Sequence, residues 1–203
     1  MNLKKILPFF SYLFHPLFIS VYAVLIYFCY GETFFDYQQI YKVIIQIVII
    51  TIFIPVTFYY LLLSFGKVDS IMLAKTAQRK FPLMIHAVLL IILVQKSIRV
   101  DNLLELHYFF LGSLISTFLA LAMAFLGFKV SLHMIGITAV TVFAIGISLL
   151  FQVRMVLEIS ILLLVCGLVA QSRLAMKAHT YKELFYGTLI GILPQLALFY
   201  WWL

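Results

Sequence analysis

Apolar stretches of about 20 residues recur along this chain, and that recurrence limits the fold more than any other feature. Each is long enough to cross a hydrocarbon layer of roughly 30 Å. Within hydrocarbon only a helix or a closed barrel satisfies every backbone polar group internally. The short alternating segments of a β-barrel are absent, so the expected fold class is all-α, a polytopic transmembrane helical bundle of six to seven spans. Charge agrees: charged residues are 10% of the 203 and hydrophobic residues 66%, whereas a soluble domain carries about 25% charged residues.

Residues 1–15 read as a basic, aromatic N-terminal segment, either lying at the interface or starting the first span. Spans are expected at about Pro16–Tyr30, Ile40–Phe65 with a kink at Pro55, Pro82–Val94, Leu103–Gly127, Met134–Phe151, Met155–Ala170 and Leu184–Leu203. No repeat or second domain interrupts them, so residues 1–203 read as a single integral-membrane domain. No small-residue cleavage site follows Lys4 and Lys5, so no removable signal peptide is expected. Cys29 and Cys166 fall in or beside apolar runs and read as buried thiols rather than a disulfide framework. Glu158 is expected to pair with Arg154 at i+4. His15, His86 and His107 are expected at interfaces or in bonds between helices, and Gly187 with Gly191 reads as a close helix contact.

Three polar islands separate the runs: Gly66–Pro82, Lys129–His133 and Gln171–Glu183. An even number of crossings lies between each pair, so all three fall on one membrane face. That places Lys75, Arg79, Lys129, Ser131, His133, Arg173, His179 and Glu183 together. The net charge of +7, from 14 basic and 7 acidic residues, suits anionic headgroups or an anionic substrate. No nucleic-acid partner is expected, because no basic stripe stands on a soluble module. The third island carries the most specific pattern. Arg173 can grip phosphoryl oxygens as a planar fork. His179 can attack phosphorus, with Glu183 at i+4 fixing its tautomer. His133 can protonate a departing alkoxide.

Ser172-Arg173, five residues, His179, three residues and Glu183 resembles the third signature of the type-2 phosphatidic acid phosphatase superfamily, with glutamate in the place of the usual aspartate. Ser131-Leu132-His133 resembles the second signature, Pro-Ser-Gly-His, with Val130 and Leu132 replacing its proline and glycine. Lys75 to Pro82 resembles the first, with Phe81 where an arginine precedes the proline, so that Lys80 is an alternative to Arg79. The resemblance spans about half the chain. It implies an integral-membrane phosphatase, without metal or other cofactor, that hydrolyses a lipid phosphate or prenyl pyrophosphate. His179 would be the phosphorylated nucleophile, Glu183 its orienter and His133 the acid. Lys75, Arg79, Ser131 and Arg173 would bind phosphate, with Lys129 compensating for the lost backbone cradle. The bacterial inner (cytoplasmic) membrane is the location implied.

The alternative is a non-enzymatic carrier or scaffold binding anionic lipid headgroups. A bis-histidine haem protein would need paired histidines at matching depth, and a metal-dependent phosphotransferase would need clustered aspartates. Neither pattern stands out. Orientation stays open: the positive-inside rule puts the basic face in the cytoplasm, whereas many relatives implied by the resemblance work on the periplasmic side.

Overall fold

A computed structural model describes residues 3–31, 35–67 and 76–203 of the chain. Among them there are helices and turns and no strand, as the apolar runs require. α1 (Leu3–Leu13) and α2 (Pro16–Tyr30) meet at a 65° bend. α3 (Tyr37–Val48) passes through a π-helical turn, Ile49–Phe53, into α4 (Ile54–Ser64). α5 (Thr76–Ile92) ends in a second π-turn, Leu93–Ser97. α6 (Leu104–Phe125), α7 (Leu132–Leu150), α8 (Val156–Ala175) and α9 (Tyr181–Trp202) follow. Six helical stretches are long and apolar enough to cross a membrane, and the bent α1–α2 pair makes a possible seventh.

The expected kink at Pro55 takes the form of the π-turn before it. Proline lacks the N–H that would bond one turn back, and the wider turn absorbs the mismatch. The expected start of the third span at Pro82 is corrected, because α5 begins at Thr76 and carries Pro82 inside it. Proline in a membrane helix frees only the carbonyl four residues back, and neighbouring helices make that tolerable. The consequence for the site is direct: Arg79 sits on a rigid first turn and a half rather than on a loop.

α7 is the central helix. It packs on α9, α2, α8 and α6, and Ile137, Val140, Phe143, Ala144 and Ile147 on it are wholly buried. Lipid tails are as apolar as leucine, so helices associate here by close packing rather than by escape from water. The α7–α9 seam shows how. A Cβ on Gly187 would meet the Ser131 carbonyl oxygen at 2.7 Å, and one on Gly191 would collide with Thr138 Oγ1 and the Ile135 carbonyl. The expected glycine contact is therefore present, and it seats α9 against the start of α7.

Two further expectations fail. Cys29 is exposed on the outside of α2, although Cys166 is partly buried and both are free thiols. A helix at the rim of a bundle turns half its apolar side chains toward lipid, which hydropathy alone does not separate from the interior. Glu158 does not pair with Arg154 and instead accepts a hydrogen bond from the Tyr30 hydroxyl at 2.8 Å. The end of α2 lies beside the start of α8, and a phenol there meets the carboxylate without desolvating a second charge.

Candidate active site

The turn between α8 and α9 is built from two local motifs, and together they set the site. α8 closes with Ala178 N–H on the Arg173 carbonyl at 3.0 Å and Lys177 N–H on the Leu174 carbonyl at 2.9 Å. This is a Schellman pattern, with Lys177 in the left-handed region at φ 51°. α9 then opens with a capping box: Thr180 Oγ1 accepts from Glu183 N–H at 3.4 Å, and Glu183 Oε2 accepts from Thr180 N–H at 3.2 Å. The same Oε2 accepts from His179 Nδ1–H at 2.7 Å. Glu183 thus caps a helix and fixes the histidine's tautomer with one oxygen. Nε2 is left as the ring nitrogen without a protein partner among the described residues.

The islands are tied to one another by backbone carbonyls. Lys129 Nζ donates to Ala178 O at 2.7 Å, Arg79 Nη1 donates to Val130 O at 2.8 Å, and Ser131 N–H donates to Glu183 O at 3.2 Å. The crossing count made this convergence possible, and the structure brings all three islands to one end of the bundle. Lys75 lies outside the described residues. Lys80 is turned away, with its ammonium 4.6 Å from the centre of the Phe125 ring, so among the described residues Arg79 is the cation this island brings to the site.

A cavity of about 380 Å³ opens at this end. Arg79, His133, Arg173 and His179 line its polar end, and each is at least nine-tenths buried. Lys129 and Ser131 are not part of its wall. Lys129 braces the α8–α9 turn, and the fully buried Ser131 caps α7 by accepting from Met134 N–H at 3.4 Å. Below the polar end the wall is mostly apolar, with Leu83, Leu90, Ala120 and Ile135 among its members.

Arg173 is the electrostatic oddity. It is 3% exposed, its Nε has no hydrogen-bond partner, and its Nη1 meets only the Met176 sulfur at 4.0 Å. No carboxylate lies within ion-pair distance of it among the described residues. A buried guanidinium without a counter-charge is costly, and an anionic ligand would supply what is missing. α2, α5, α7 and α9 also begin on this face, so their positive dipole ends favour an anion there.

His179 is neutral. Burial first, and then Arg79, Lys129 and Arg173, push its imidazole from 6.5 down to about 3. Because the folded value is depressed, its stability contribution is complete above about 6.5 and is lost as pH falls toward about 3. Lys129 is lowered as well, by burial and then by Arg79.

Three residues here escaped the sequence reading. Ser11 on α1 shares a 2.6 Å hydroxyl contact with Ser172 and accepts from His133 Nε2–H on its carbonyl at 3.0 Å. His15 sits at the α1–α2 bend with its ring centre 5.2 Å from that of His133, and its Nδ1 accepts from Leu17 N–H at 3.3 Å. His86 lines the cavity. The four-residue step from Ser11 to His15 just before a proline was the available signal, but nothing in hydropathy folds α1 back onto α8. His107 does bond within the bundle, to the Ile98 carbonyl at 2.8 Å. No group of three or more metal-ligating side chains occurs among the described residues.

Comparison of the chain with protein-family models, with curated proteins and with solved structures finds no match.

Proposed function

We propose that this chain is an integral-membrane phosphatase that hydrolyses a lipid phosphate or prenyl pyrophosphate through a phosphohistidine on His179. The observation that carries the reading is the pairing of two opposites in one buried cavity. Arg173 is a cation lacking a counter-charge, and His179 is a neutral imidazole oriented by a carboxylate at 2.7 Å. A headgroup binder requires the first and has no use for the second. The apolar remainder of the cavity suits a lipid chain.

In this reading Arg173 and Arg79 hold the equatorial phosphoryl oxygens, and Lys129 adds positive field from behind the turn. The Nε2 lone pair of His179 attacks phosphorus as the bond from phosphorus to the lipid oxygen breaks. Glu183 stabilises the positive charge that develops on the ring. His133, as its imidazolium, gives a proton to the leaving oxygen and is left as the neutral ring. Its Nε2–H is held by the Ser11 carbonyl in the resting structure, so delivery from that atom needs the end of α1 to withdraw. Water then attacks the phosphohistidine and gives a proton to the neutral His133, the P–N bond breaks to return the neutral His179 ring, and phosphate leaves. The bacterial inner membrane is the proposed setting.

The test is phosphate release by detergent-purified protein from lipid phosphates and prenyl pyrophosphates in the presence of a chelator. Release is expected from at least one of them. Once corrected for the substrate's own ionisation, kcat/KM will show no acid limb near 6.5, because protonation of His179 falls near pH 3. A protein inert toward every such lipid is a binder and not this enzyme.

A further inference from the structure

One polar side chain in the apolar part of the cavity has no hydrogen-bond partner among the described residues. His86 follows Arg79 by seven residues on α5, two helical turns, so it shares that face and lies roughly 10 Å further along the helix axis. It lines the same cavity as Arg79 and His179. Three hydroxyls that line the same cavity give their protons to backbone carbonyls: Ser113 donates to Phe109 O, Ser116 to Ile190 O and Thr117 to Ser113 O. Neither ring nitrogen of His86 has a hydrogen-bond partner among the described residues. An imidazole inside a membrane bundle without a partner is costly and marks a site where something else completes it.

We propose that His86 is a specificity-determining residue that hydrogen-bonds a polar atom of the substrate just beyond its phosphate, the ester carbonyl of a glycerol-based lipid. The inference rests on the phosphatase reading for where the phosphate sits. With the phosphoryl group against Arg79 and Arg173, the glycerol unit runs along the face of α5 toward His86. An ester carbonyl lies a few covalent bonds from phosphorus, within reach of the ring, and the imidazole has an N–H to give it. A prenyl chain is hydrocarbon beyond the phosphate and would leave the ring unsatisfied. A site built around a buried polar group rejects ligands that cannot pair with it.

The experiment uses phosphonate analogues, which bind without turnover, on the full chain in detergent. Three are compared: a diester-linked glycerol phosphonate, its dialkyl ether counterpart and a prenyl phosphonate. The wild type is expected to bind the ester about tenfold more tightly than the ether, a difference of about 1.4 kcal/mol. His86→Leu will erase that ratio by weakening the ester alone, and His86→Gln, which keeps a donor, will retain most of it. Equal binding of ester and ether by the wild type, or an unchanged ratio in His86→Leu, overturns this inference and leaves the phosphate reading standing. Failure of all three phosphonates to bind overturns both.

Discussion

Replacing His179 by alanine will lower phosphate release by about 10⁴-fold or more, as loss of a nucleophile does when no neighbour can substitute for it. The substituted protein will still bind lipid phosphate, since Arg79 and Arg173 remain. The companion substitution at Glu183 separates two roles that one oxygen plays. Glutamine at the third helical position still completes a capping box, so Glu183→Gln will leave α9 and the fold intact. It removes the charge that orients and stabilises the imidazole, and turnover will fall by about 10²–10⁴-fold. The measurement is steady-state release with thermal unfolding recorded beside it. Unchanged turnover in Glu183→Gln would reduce the carboxylate to a helix cap.

Arg173 gives the second large effect, and its sign is unusual. Arg173→Leu will lower kcat/KM by about 10³–10⁵-fold, the range an arginine commands in phosphoryl transfer. The same change will leave the melting temperature of the ligand-free protein unchanged or raise it. The guanidinium is buried with an unpaired Nε and no carboxylate among the described residues. Removing it relieves a desolvation cost that no carboxylate among the described residues offsets. In the wild type, inorganic phosphate or a lipid phosphonate will raise the melting temperature, and in Arg173→Leu that gain will largely vanish. A marked loss of stability in the ligand-free variant would instead make Arg173 part of the bundle's framework.

Much of this arrangement was legible in the sequence because topology and local chemistry both leave marks there. Parity of crossings is a counting argument, indifferent to where each helix ends by a residue or two. It put the islands of Arg79, Lys129 and His179 on one face, and the bonds from Arg79 to Val130 O and Lys129 to Ala178 O join them. The Thr180–Glu183 capping box went unread in the sequence, and it accounts for Glu183 independently of catalysis. Cavity walls were not legible. Apolar side chains facing lipid and those facing an internal hollow have the same hydropathy, which hid both the exposure of Cys29 and the position of His86. Proline misled at Pro82, because the rule that it begins a helix is weaker where neighbouring helices shelter a freed carbonyl. The fold-back of α1 onto α8, which brings Ser11 to Ser172 and His133, depends on a bend beside Pro16 whose angle no periodicity encodes.

The central claim is that phosphorus becomes bonded to one particular nitrogen. Protein mixed with a lipid phosphate labelled in its phosphoryl group, and quenched in alkali within a single turnover, should carry label that is stable to base and lost in acid. Peptide mapping should place that label on His179, and His179→Ala should carry none. Substrate hydrolysed at full rate with no protein-bound phosphate at any time, or label on a residue other than His179, would contradict the account.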